Sequence, residues 1–181
     1  MVESAIHYTI DILYIRSSQA HAVQWLLKTD SALMEKNNKP PFWETKTLAD
    51  MTPSQWESLC DGCGHCCLIK FEDEDTDEIL VTNVACRMLD IDTCRCHDYE
   101  HRVEHVPTCL VLGPEKKELF RYLPETCAYR CLEEGRALPE WHHLLTDDKS
   151  AVHFSGISVK AYAVSEDYIH PDQLAEHIIT D

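Results

Sequence analysis

The sequence predicts an α+β fold, a small single domain in which short helices and strands surround a cluster of cysteines. Three observations predict it. Four thiols stand close together at Cys60, Cys63, Cys66 and Cys67, and six more follow at 86, 94, 96, 109, 127 and 131. Helix and strand signals come in short pieces between them, so the thiols fall at element ends with short connections. No internal repeat is present, so no solenoid or propeller competes with that reading.

Residues 1–40 read as an extension and linker, and 41–181 as the cysteine-bearing domain. Within the extension, Tyr8 to Ile15 has the composition of a strand and Gln19 to Met34 has loosely helical spacing. Neither holds a cysteine. Glu35 to Pro41 is a polar, proline-ended linker. Met34 stands just before it, and the natural chain is expected to start there.

Thr52-Pro53-Ser54-Gln55 reads as a capping box, with Thr52 as the cap, Pro53 in the first helical position and Gln55 in the third. The helix it opens should run to about Leu59, turn Trp56 inward and deliver Cys60 at its end. Gly62 and Gly64 supply the left-handed backbone of a tight loop. Phe71 to Glu78 is acidic, yet Glu78 and Val84 stand where a calcium loop needs Gly and Glu, so it reads as a solvated loop. Ile79 to Val84 is a strand leading into Cys86. His97, His101 and His105 would share one face of a helix as a second metal site, but Glu100, Arg102 and Glu104 between them favour an ordinary wet helix. Glu115 to Tyr122 and Ala128 to Glu134 are short helices, stopped by Pro124 and Gly135. Leu138 to Leu145 is a loop, Gly156 to Val164 a strand, and Asp172 to Ile179 a closing helix.

At 181 residues the chain can bury about 70% of its unfolded surface. A metal is therefore not required by size alone. The formal charge of −16 speaks against a protein that grips phosphate backbones, so nucleic acid is not an expected partner. No apolar run approaches the ~18 residues of a membrane span. The early apolar segment is broken by Asp11 and lacks a basic flank or cleavage site, so the chain reads as cytoplasmic, with reduced thiols.

Ten cysteines in such a chain point to metal rather than to disulfides. Cys60-x-x-Cys63 followed by Gly64 is the turn that brings two thiolates to one tetrahedral ion. Cys66 and Cys67 change the arithmetic, because adjacent side chains are expected to point apart. They imply two metals, or one cluster with a bridging thiol. Cys60, Cys63, Cys66, Cys67, Cys86, Cys94, Cys96, Cys109 and Cys127 are the candidate ligands. The expected cofactor is zinc or iron, an iron–sulfur cluster included, with more than one metal per chain.

The segments Pro41 to Glu44, Leu59 to Cys67, Thr82 to Arg87, Thr93 to Cys96, Val106 to Cys109 and Thr126 to Arg130 resemble the YcgN family. That family is a branch of the YkgJ-type CxxCxxCC cysteine-cluster proteins, and the resemblance implies a zinc- or iron-chelating domain. The wider pattern covers Cys60, Cys63, Cys66, Cys67, Cys86, Cys96 and Cys109, with Tyr99 and Arg102 in its C-x-x-Y-x-x-R segment. Cys94 and Cys127 resemble additions particular to the branch, and Cys131 stands where the branch carries no thiol. Two function classes follow. The first is a metal-chelating protein without catalysis of its own, since closed thiolate ligation leaves no position for substrate. The second is an iron–sulfur redox protein or enzyme linked to protein modification. No nucleotide loop, nucleophile elbow or zinc-protease helix supports a self-contained hydrolase or kinase.

Overall fold

A computed structural model of the chain describes residues 39–179. The strand and helix expected before Met34 lie outside the described residues. Those described fall in two units, 39–45 and 46–179. The first holds helix α1, Phe42–Thr45, in which Phe42 and Trp43 meet edge to face at 5.1 Å.

The second unit is α+β, as the sequence predicts. It begins with a 3₁₀ turn at Leu48–Asp50 and helix α2, Pro53–Glu57. The capping box at α2 is complete. The Gln55 N–H donates to the Thr52 hydroxyl at 3.3 Å, and the Thr52 N–H donates to the Gln55 side chain at 3.0 Å. A 3₁₀ turn, His65–Cys67, then feeds strand β1, Leu68–Glu72, which pairs antiparallel with β2, Ile79–Ala85. The pairing runs from Leu68 opposite Ala85 to Glu72 opposite Ile79, with a bulge between Leu68 and Lys70. The acidic segment between them is the hairpin turn, where the Asp73 carboxylate accepts from the Asp75 and Thr76 N–H groups. A two-residue ribbon follows, β3 (Leu89–Asp90) against β4 (Arg95–Cys96).

Helices α3 (Arg102–His105), α4 (Ala128–Glu133), α5 (His143–Thr146) and α6 (Ala151–Phe154) are single turns or little more. Glu115 to Tyr122 appears as a 3₁₀ helix over Lys117–Tyr122. Pro114 and Pro124 leave too short a stretch for α-helical propagation, and tighter turns are the usual use of such pieces. The strand expected over Gly156 to Val164 is corrected to a 3₁₀ turn, Val159–Ala161, with a two-residue strand β5, Val164–Ser165. The reason is local. The Val159 N–H is drawn to the Cys63 carbonyl at 2.9 Å, and the Tyr162 and Ala163 N–H groups fold back onto the Val159 carbonyl. Only Val164 and Ser165 remain free to pair, parallel to Val84 and Ala85, on the far edge of β2. The closing helix is also 3₁₀, Pro171–His177, because Ile178 leaves it to bridge Thr82.

One apolar cluster decides where the cysteine loop sits. Leu68, Ala85, Leu89, Cys94 and Val159 are buried together, with Cys67, Val81, Ile91, Tyr162 and Ala163 packed against them. This core therefore lies directly beneath the loop from Cys60 to Cys67. Leu59, Phe120, Leu123, Ala128, Tyr129 and Val152 are buried as well. Trp56 of α2 lies 4.6 Å from the Tyr129 ring of α4, and the Tyr129 hydroxyl donates to the Trp56 carbonyl at 3.0 Å. Among the described residues no helix is long and apolar enough to cross a membrane.

Candidate metal centre

Helix α2 ends at Glu57, and three residues later the chain enters the loop at Cys60. The loop is held open by two left-handed glycines, Gly62 at φ 79° and Gly64 at φ 82°. The Asp61 carboxylate accepts from the Cys63 N–H at 3.0 Å, which closes the turn between the first two thiols. Cys66 and Cys67 stand on the 3₁₀ turn that follows, and the Cys86 N–H donates to the Cys67 carbonyl at 2.9 Å. That bond joins the loop to the end of β2. Cys96 enters on β4, opposite Leu89, and Cys127 sits at the N-terminal cap of α4, one residue before the buried Ala128–Tyr129 pair that packs on Trp56. Short elements from across the unit thus deliver their terminal residues to one region.

The charges that each thiol feels show which of them are neighbours. Cys60, Cys63 and Cys127 all interact with Cys66, and Cys63 also with Cys127. Cys67 interacts with Cys66, Cys86 and Cys109, and both Cys86 and Cys109 with Cys96. Eight thiols therefore lie in one region, with Cys66 acting on Cys60, Cys63, Cys67, Cys109 and Cys127.

The expectation that Cys66 and Cys67 point apart is corrected. Their sulfurs are 3.9 Å apart, because the tight 3₁₀ turn swings both side chains to the same side. With Zn–S bonds of about 2.3 Å, a thiolate tetrahedron has edges of roughly 3.8 Å, so the pair has ligand spacing. Among the described residues, no three His, Cys, Asp or Glu side chains converge on one point at metal-binding geometry. The donor chemistry nevertheless fits soft or borderline metals, since the groups are thiols alone.

Burial raises most of these thiols above their usual range. It pushes Cys60 up to about 11 and Cys127 up to about 12, and it raises Cys63, Cys86 and Cys109 as well. Cys66 goes the other way, down to about 7, chiefly because the Cys67 thiol donates to it, while burial opposes and the Lys70 ammonium assists. The same bond raises Cys67. In the metal-free chain, Cys66 is expected to be the first thiol alkylated by iodoacetamide as pH rises, followed by peptide mass spectrometry. A different thiol leading would refute that order.

The candidate Cys94 is set apart, as is Cys131, which was not among the candidates. Cys94 lies in the apolar core at φ 52°, its thiol donating to the Ile91 carbonyl at 3.6 Å. Cys131 is buried on α4, where its thiol donates to the Glu125 carbonyl at 3.1 Å. The histidine face at 97, 101 and 105 does not form, since only Arg102–His105 is helical. His101 and His105 instead share the Asp98 carboxylate, at 2.9 and 3.3 Å, in solvent.

Two residues around the thiols, Lys70 and His142, escaped sequence reasoning. Lys70 donates to the carbonyls of His65 and Leu68, both at 2.8 Å, which anchors an ammonium beside Cys63, Cys66 and Cys67. A lone Lys inside Leu68-Ile69-Lys70-Phe71 was the available signal. His142 is 0% exposed. Its Nδ1 accepts from the Leu144 N–H at 3.2 Å, so its Nε2 carries the proton and donates to the Leu59 carbonyl at 3.0 Å, one residue before Cys60. Nothing in the local sequence marks that role. Arg102 lies 3.9 Å over the Tyr99 ring and favours the ionised form of Cys109. The Tyr99 hydroxyl reaches Glu57 at 3.5 Å.

A family model described as "Putative zinc- or iron-chelating domain", CxxCxxCC, matches residues 59–128, the span from Leu59 through the N-terminal end of α4. A UPF0260 protein of Ectopseudomonas mendocina is 50% identical over 142 residues, covering 78% of this chain and 95% of its own. One from Citrobacter koseri is 55% identical over 139 residues, 77% of this chain and 90% of the relative. The UPF0260 protein YcgN of Escherichia coli is 58% identical over 126 residues, 70% and 82% of the two chains. No solved structure matches the chain. The extent of these likenesses, together with cysteines gathered from Cys60 to Cys127, shows that the chain belongs to the UPF0260 (YcgN) family of CxxCxxCC cysteine-cluster proteins.

Proposed function

We propose that this protein is a cytoplasmic chelator of zinc or iron, holding more than one ion per chain through eight thiols and performing no catalysis of its own. Cys60, Cys63 and Cys127 would hold one ion, Cys67, Cys86, Cys96 and Cys109 a second, and Cys66 would complete the first group or bridge the two. The observation that carries this reading is the Cys66–Cys67 pair, whose sulfurs are 3.9 Å apart, together with the other thiols whose charges it shares. Bound metal supplies a multivalent positive centre that keeps the thiolates ionised at neutral pH. The chain supplies the rest. Lys70 and Arg102 offset part of the thiolate charge, the apolar core under Cys67 excludes water from one side, and the Asp61 and glycine turns orient the sulfurs.

Single serine replacements, scored as metal per chain on protein purified without air, test the assignment. Cys60→Ser and Cys86→Ser should each lose about one ion, and Cys94→Ser and Cys131→Ser should leave the content unchanged. One ion per chain, insensitive to Cys86, Cys96 and Cys109, would reduce the site to the first four thiols. The second reading is an iron–sulfur redox centre, which the close spacing of Cys66 and Cys67 favours. Iron with acid-labile sulfide and visible absorption in the air-free protein would establish it over simple chelation.

A further inference from the structure

Cys66 and Cys67 make the one thiol–thiol hydrogen bond among the described residues, with their sulfurs 3.9 Å apart. The chain around them holds that contact in place. Gly64, in the left-handed region at φ 82°, starts the turn, and its carbonyl accepts from the Cys67 N–H at 3.0 Å. The Lys70 ammonium donates to the His65 and Leu68 carbonyls, both at 2.8 Å, and so ties the residue before the pair to the residue after it. The Cys67 carbonyl is fixed in turn by the Cys86 N–H at 2.9 Å. Two sulfurs pinned in this way meet each other before either meets a more distant thiol. Cys66 is exposed, whereas Cys67 is half-buried against the apolar core. A solute arriving from water therefore comes first to Cys66.

We propose that the pair is a site of reversible oxidation, at which a small hydroperoxide joins Cys66 and Cys67 in a vicinal disulfide. The inference rests on their contact and not on the proposed chelation. The Cys66 sulfur attacks the terminal oxygen of the hydroperoxide, the O–O bond breaks, and the remainder leaves as an alcohol with the Cys66 proton, or as water from hydrogen peroxide itself. The Cys67 sulfur then attacks the sulfur of the Cys66 sulfenic acid, the S–O bond breaks, and the hydroxyl leaves as water with the Cys67 proton. Two electrons have passed from the thiols to the peroxide. Across one trans peptide the two Cα atoms stand about 3.8 Å apart, closer than the roughly 4.4 Å at which ordinary disulfides begin. The bond is therefore strained, and a small thiol reductant should reopen it readily.

The test uses the full-length chain, freed of metal by a chelator without air. It is treated with one equivalent of hydrogen peroxide, alkylated with iodoacetamide and digested, and fragment spectra locate the thiols that escaped alkylation. Cys66 and Cys67 should be lost together, in a peptide two hydrogens lighter, while Cys60, Cys63 and Cys127 stay alkylated. Dithiothreitol should restore both. In Cys67→Ser the reaction should stop at the Cys66 sulfenic acid, which dimedone captures. Cys66 bridged instead to Cys60, Cys63 or Cys127, or oxidised no faster than those thiols, would overturn the proposal. A sulfinic acid at Cys66 that dithiothreitol does not restore would do the same. The mapping needs only the unaltered chain, so it decides the matter even where a variant fails to fold. Zinc added beforehand should slow the loss severalfold if the pair also binds metal. An unchanged rate would count against the proposed chelation and leave the disulfide mapping to stand.

Discussion

Removing the metal from the purified chain is expected to lower its thermal midpoint by more than about 10 °C. Structural thiolate sites contribute on the order of 10 kcal/mol or more of apparent binding free energy, as much as the whole stability of a domain. A loss of even ~5 kcal/mol corresponds to roughly 10–20 °C for a chain of this size. The fold would have particular reason to depend on bound metal. Its helices α2 to α6 run four to six residues, and its main sheet has three strands, one of them only two residues long. Helices that short do not persist on their own propensity. Ions joining Cys60, Cys63 and Cys127, or Cys67, Cys86, Cys96 and Cys109, would close long loops between these fragments, and closure of long loops is where a cross-link stabilises most. Differential scanning calorimetry before and after chelation measures the effect, and an unchanged midpoint would refute the view of the cluster as a folding element.

Gly64→Ala should be the most damaging of the single glycine replacements. Its φ of 82° costs an L-residue about 1–2 kcal/mol by itself. The added Cβ would also stand 2.6 Å from the Cγ2 atom of Val159. Val159 cannot yield easily, since it is 0% exposed and its N–H is held by the Cys63 carbonyl at 2.9 Å. Forced overpacking of this kind adds about 1–3 kcal/mol. Gly156→Ala is the control. Its φ is 72°, but nothing lies within 4 Å of the new Cβ, so only the backbone cost remains. Urea unfolding at constant metal should place Gly64→Ala well below Gly156→Ala. Equal midpoints would mean that the Gly64–Val159 approach carries no energy.

Much of the site was legible because its signals are local. The capping box from Thr52 to Gln55 depends on four consecutive residues, and the turn through Cys60, Gly62, Cys63 and Gly64 on a few more. Each is decided by short-range geometry that the residue types themselves prescribe. The strand from Ile79 was legible for the same reason, since an apolar, β-branched run between turn residues has one good use.

What required the tertiary structure is whatever depends on a distant partner. Gly156 to Val164 has the composition of a strand, but the Cys63 carbonyl captures the Val159 N–H and curls the segment. Cys94 and Cys96 are one residue apart, yet the first is sealed in the core under Val159 while the second stands with Cys86 and Cys109. His142 supports the residue before Cys60 from 83 positions away, a relation that no spacing rule encodes. The sequence alone thus determined the family, the α+β class and which thiols are candidates, because those rest on residue type and local spacing. Only the tertiary structure decided that Cys66 and Cys67 stand at ligand spacing and that Cys94 is buried in the core, since those follow from the turn that carries the pair and from the surfaces that pack on Cys94.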